Sequence, residues 1–154
     1  MEKENDQLIK SISQICDLDE NTVKSIINES ISIRSNSYSP YSKFKVGSVL
    51  VTSLNKIYSG VNVENISYGL SNCAERSVIF SAVSKGERDF KLITVCSDLE
   101  EFLTPCGACR QVISEFKIKN VLLVNNTGAI KLVSMDYLLP TSPEIPHLNK
   151  DNSQ

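Results

Sequence analysis

The sequence predicts an α/β fold with a mixed central sheet of about five strands, and two patterns carry that expectation. In the first half, two β-rich runs flank a short polar turn, which is the spacing of a hairpin. In the second half, short apolar runs alternate with helical periodicities, an order that brings strands into parallel pairs with helices against them. At 154 residues, with 41% hydrophobic and 22% charged content, the chain suits one compact core of ordinary composition.

The elements follow in order. From Gln7 to Cys16, Leu8, Ile9, Ile12 and Ile15 recur at helical spacing. Asp17 to Asn21 breaks that pattern, and Val23, Ile26, Ile27 and Ile31 then form a second amphipathic stripe. Ser37-Tyr38-Ser39-Pro40-Tyr41-Ser42 is turn chemistry. Strands are expected over Val46–Thr52 and Ile57–Val63, joined at Ser53-Leu54-Asn55. Cys73 to Ser84 reads as helix, Lys91–Cys96 as a buried strand, and Pro105 to Phe116 as helix. Val121–Val124 and Ala129–Val133 complete the strands, with a short helix over Met135–Leu139. Residues 1–20 thus form an N-terminal helical extension, 21–140 a single domain, and 141–154 a polar, proline-containing tail.

Charge narrows the function classes. Sixteen basic and eighteen acidic residues are well mixed at a net charge of −2, so no basic groove for a polynucleotide is expected. No apolar run approaches the roughly 20 residues that span a bilayer, so no membrane partner is expected. The start, MEKENDQLIK, lacks the layout of a secretory signal, which favours a cytoplasmic location. Five cysteines suit metal binding in a reducing compartment better than a disulfide framework.

The chemistry concentrates in Cys73-Ala74-Glu75-Arg76 and Pro105-Cys106-Gly107-Ala108-Cys109-Arg110-Gln111. A C-x-x-C pair alone is compatible with redox work or half of a zinc finger, but a third cysteine competes and no second pair closes a finger. The lone histidine, His147, lies in the polar tail and reads as solvated. Three thiolates leave a tetrahedral zinc with one open position for water, the arrangement of a catalytic metal. Cysteines at two helix N-termini gain from both positive helix ends. Arg76 and Arg110 each adjoin a ligand; Arg76 is the candidate donor to sulfur beyond the ligand shell, while Arg110 reads equally as such a donor or as a solvated helix residue. Glu75 heads the stripe of Val78, Ile79, Ala82 and Val83, so its carboxylate faces the core and suits a proton carrier. A structural zinc module with Cys16 or Cys96 as fourth ligand is the competing reading, although Cys96 at the end of a buried strand reads as a core residue.

C-A-E-R followed by P-C-x-x-C-R-Q resembles the cytidine deaminase family in its small three-cysteine form, and the likeness extends from Tyr38 to Pro140. That resemblance implies a three-layer α/β/α sandwich and a cytoplasmic homotetramer with shared active sites. It also implies Zn²⁺ held by Cys73, Cys106 and Cys109, with Glu75 moving protons in the deamination of cytidine and deoxycytidine in pyrimidine salvage. Within Asn62-Val63-Glu64-Asn65, alternation along a strand puts Asn62 and Glu64 on one face. The family uses that element on the ribose, mainly its 3′-hydroxyl. Phe44 matches the aromatic that packs on the pyrimidine, and the Ala74 backbone approaches the base edge. Ile66 and Tyr68 match positions that reach a neighbouring subunit's site near the 5′-hydroxyl. The chain departs from the family after Leu138-Leu139-Pro140, where the usual aromatic is missing. Blasticidin S-type deaminases share both cysteine motifs, but their ligand lacks the ribose that Asn62 and Glu64 would hold.

Overall fold

The computed structural model describes residues 2–143. His147 lies outside the described residues. Helix α1 (Glu2–Cys16) opens the chain, and Asp19 caps α2 (Glu20–Ile33) by accepting from the Thr22 N–H at 2.9 Å. The break expected at Asp17–Asn21 falls at residues 17–19, where Asp17 is left-handed at φ 49, and Glu20 and Asn21 already belong to α2. After a short 3₁₀ turn come β1 (Val46–Thr52) and β2 (Ile57–Val61), then α3 (Ala74–Ser84) and β3 (Phe90–Ser97). Helix α4 (Gly107–Glu115), β4 (Asn120–Val124), β5 (Ile130–Ser134) and α5 (Met135–Leu138) complete the described chain.

The strands form one mixed sheet in the order β2-β1-β3-β4-β5. Only β3 and β4 pair in parallel, while β1–β2, β1–β3 and β4–β5 are antiparallel. The sequence pattern suggested more than one parallel pair. The link from β4 to β5 is too short for the dozen or more residues a parallel crossover needs, so β5 turns back as a hairpin.

Two apolar layers sandwich the sheet. On one face Leu50, Ile93, Val95, Val121 and Leu123 meet Val78, Ile79 and Ala82 of α3, Ile113 of α4 and Leu138 of α5. On the other, Val49, Val51, Leu92, Leu122 and Val124 meet Ile9 and Ile12 of α1 and Val23, Ile26 and Ile27 of α2. Period-2 alternation in β1, β3 and β4 divides these side chains between the faces. Ile15 matches the spacing of the α1 stripe but is exposed, and Cys16 is buried instead.

A buried polar cluster joins α2 to the sheet. Thr94 Oγ1 lies 2.7 Å from Ser30 Oγ and accepts from the Val49 N–H at 2.8 Å, while Ser48 Oγ donates to Thr94 O at 2.6 Å. Strand β2 lies so close to α3 that a Cβ on Gly60 would stand 2.7 Å from Val78 N and 3.0 Å from Ala74 O. This contact seats the first turn of α3 against the sheet. No described helix is long and apolar enough to cross a membrane.

Candidate active site

Two helices begin at one point, each at a cysteine. Cys73 is the N-cap of α3 and Cys106 the N-cap of α4; neither makes a side-chain capping bond, so their thiols are free for another role. Pro105 thus precedes α4 and does not occupy its first turn. Cys109 lies within α4, where the 3.6-residue period brings it beside Cys106. The three sulfurs lie within 4.8 Å of one another, the only group of three or more potential metal ligands among the described residues. Cys73 Sγ and Cys106 Sγ are 3.9 Å apart. A tetrahedral zinc with bonds of about 2.3 Å places its sulfurs about 3.8 Å apart, so the three residues fit Zn²⁺.

The electrostatics favour a thiolate at Cys73. Hydrogen bonding from the Cys109 thiol, followed by that from Arg76, outweighs desolvation and lowers Cys73 to about 5. Arg76 Nη2 donates to Cys73 Sγ at 3.3 Å. Cys109, the donor of that pair and itself buried, is shifted upward. Metal binding at this cluster requires the thiols to give up their protons. Cys16 and Cys96 pack in the layer on the other face of the sheet, and burial raises Cys96 to about 11. The fold thus keeps both away from the three-sulfur cluster, and the four-cysteine module loses its fourth ligand.

Glu75 is 3% exposed in the first turn of α3. Desolvation is the main cause that pushes its carboxyl up to about 7, with the neighbouring Cys73 charge adding to it. The expected stripe holds: Val78, Ile79 and Ala82 are buried below it, with Val83 partly so. A carboxyl near neutrality both accepts and returns protons, which matches general acid–base work.

A cavity of about 300 Å³ opens above the cluster. Its lining includes Cys73, Ala74, Glu75 and Cys106 together with Phe44, Asn62 and Glu64. Strand β2 ends at Val61, so strand alternation does not extend to Glu64; the following loop brings it to the same cavity as Asn62. Both side chains also tie neighbouring backbone. Asn62 Oδ1 accepts from Val46 N at 2.9 Å and from Ser37 Oγ at 2.5 Å, while Nδ2 donates to Phe44 O at 2.8 Å. Glu64 Oε2 accepts from Tyr41 N at 2.9 Å and Ser42 N at 3.2 Å, and Oε1 accepts from the Ser42 hydroxyl. These bonds, the Ser42 hydroxyl first, hold Glu64 below its usual 4.5. One Nδ2 hydrogen of Asn62 remains for a ligand.

Tyr68, 74% exposed, meets Tyr41 edge-on at 5.8 Å and lines a second cleft that shares Glu64 and Ser71 with the first. Ile66 is 81% exposed and lines neither cavity. Arg110 matches neither of its two sequence readings, donor to sulfur or solvated helix residue: it bonds Pro105 O, Leu138 O and Thr104 Oγ1. Sequence reasoning also missed Val46, Ser71, Asn72, Leu103 and Thr104 in the cavity lining. Asn72 and Thr104 lie just ahead of the ligand motifs, and that adjacency was the available signal.

Similarity to known proteins agrees with this geometry. Residues 20–125 match the family model described as the cytidine and deoxycytidylate deaminase zinc-binding region. Cytidine deaminase of Sporosarcina psychrophila is 47% identical over 120 residues, covering 77% of this chain and 88% of that protein. A crystal structure of cytidine deaminase from Burkholderia pseudomallei superposes with a TM-score of 0.74 at 43% identity, covering 77% of this chain and 97% of that one. Blasticidin-S deaminase of Bacillus cereus is more distant, at 31% identity over 64% of this chain and 76% of its own. With three thiols set for zinc, a buried glutamate beside them and a match that begins at the first residue of α2, the chain belongs to the cytidine and deoxycytidylate deaminase family.

Proposed function

We propose that this protein hydrolyses cytidine and deoxycytidine to uridine and deoxyuridine with release of ammonia, serving pyrimidine salvage in the cytoplasm. One observation carries the reading: Glu75 is buried at the head of α3 beside the three-thiol cluster, in a cavity that Phe44, Asn62 and Glu64 also line.

Cys73, Cys106 and Cys109 would hold Zn²⁺, which when bound would supply Lewis acidity and make a water acidic enough to attack near neutral pH. Glu75 takes a proton from the attacking water and passes it to N3 of the cytosine ring as the C4–O bond forms. The remaining hydroxyl proton then travels through Glu75 to the amino group, the C4–N bond breaks, and ammonia leaves. Water's two hydrogens end on N3 of the uracil and on ammonia, so the step balances. Burial supports this role, because a carboxyl near 7 lies close to the working pH of a proton shuttle.

Arg76 draws charge from the Cys73 sulfur. Phe44 offers an aromatic face to the pyrimidine, a contact typically worth about 1–3 kcal/mol, and the Ala74 backbone meets the base edge. Asn62 and Glu64 hold the ribose while bracing the 37–46 segment. Ile66 and Tyr68 serve a neighbouring subunit's site in a homotetramer, which fits their exposure. A sugar-binding pair favours nucleosides over blasticidin S.

Zinc-loaded protein is expected to convert cytidine, followed by the fall in pyrimidine absorbance. Glu75→Gln should lower kcat by about 10²–10⁴-fold. Absence of turnover by the wild type, or full activity in Glu75→Gln, refutes the assignment.

A further inference from the structure

Residues 102–106 belong to no helix or strand, yet this stretch carries both a metal ligand and part of the substrate cavity. Leu103 and Thr104 line the cavity, and Cys106 is the exposed member of the three-sulfur cluster. Cys106 caps α4 from the end of this irregular stretch, so its position depends on what holds residues 104–105. Arg110 holds both. Its Nε donates to Pro105 O at 2.7 Å, Nη2 to Thr104 Oγ1 at 3.2 Å, and Nη1 to Leu138 O at 2.8 Å. Leu138 is itself anchored: it is buried at the end of α5, and the chain beyond returns to α4 through Ser142 Oγ, 3.0 Å from Ser114 Oγ. The guanidinium therefore spans two separate segments with three donors in one rigid plane. A lysine, with one flexible ammonium, does not reproduce that reach.

We propose that Arg110 is a positioning residue that clamps residues 104–105 to the end of α5. The clamp fixes both the Cys106 thiol and the Leu103–Thr104 wall of the cavity. Only the kinetic arm of this inference rests on the deaminase reading, since metal affinity and metal spectra are read without substrate.

The test compares zinc-loaded wild type with Arg110→Lys and Arg110→Gln in the full chain. Competition with a chromogenic chelator should show zinc affinity reduced about 10- to 100-fold in Arg110→Gln, the range expected for groups that orient metal ligands. Arg110→Lys should fall between that variant and wild type. With cobalt in place of zinc, the thiolate-to-metal absorption should weaken or shift, and KM for cytidine should rise. Should Arg110→Gln fail to fold, Arg110→Lys decides the matter. Wild-type zinc affinity, cobalt spectrum and KM in folded Arg110→Lys would overturn the clamp. A wild type inert toward cytidine refutes the activity reading instead, leaving the zinc and cobalt measurements to decide the role of Arg110.

Discussion

Gly60→Ala adds one methyl group at the place where β2 supports the first turn of α3. The new carbon would lie 2.7 Å from Val78 N, 2.8 Å from Val78 Cβ and 3.0 Å from Ala74 O. Two of these three atoms are backbone, so no flexible side chain can yield. Ordinary contact for such a carbon begins at 3.4 Å, so strand and helix must separate by about 0.7 Å at the closest point. Overpacking of this kind costs about 1–3 kcal/mol. At about 2–4 °C per kcal/mol for a chain of this length, Tm should fall by about 2–12 °C. The helix that moves carries Glu75 and begins at Cys73, whereas Cys106 and Cys109 remain on α4. Because a misplacement of about 1 Å can cost about 10²-fold in rate, kcat/KM for cytidine should drop by about tenfold or more. Differential scanning calorimetry and initial rates on the zinc-loaded protein read the two effects separately. An alanine variant with wild-type Tm and wild-type kcat/KM would show that this close approach does not set the site.

Two further predictions concern the polar interior and the cavity rim. Thr94→Val keeps the shape of the side chain but leaves the buried Val49 N–H without its acceptor, at a cost of about 1–3 kcal/mol in urea unfolding, while kcat stays at the wild-type value. A stability within about 0.5 kcal/mol of wild type would refute the importance of that cluster. For Glu64 the folded pKa lies below 4.5, so its contribution is present above that value and lost as pH falls through the depressed one. Ser42→Ala should therefore move the acid-side rise of KM for cytidine to higher pH than in the wild type. An unchanged onset in Ser42→Ala rules out the Ser42 hydroxyl as the main cause.

Local pattern and motif were legible because they follow from short-range rules. The apolar stripe from Val78 to Val83 placed Glu75 on the buried side of α3. The C-A-E-R and P-C-x-x-C motifs identified the three thiols that the fold gathers within 4.8 Å. The β-rich run over Val46–Thr52 and the short apolar run over Val121–Val124 likewise marked strands that the two apolar layers cover. The stripe follows the 3.6-residue period, while the runs and motifs are short stretches that a chain carries without reference to distant segments.

Tertiary structure decided what depends on partners far apart in sequence. Arg110 adjoins a metal ligand, yet a carbonyl 28 residues away draws it from the sulfurs. Asn62 and Glu64 share a cavity through the loop that follows β2, after strand alternation has ended. The three cysteines thus identified a zinc site from sequence alone. The distances, burial and tethers that make it workable arise only when two helix starts, one irregular segment and the sheet edge meet in space.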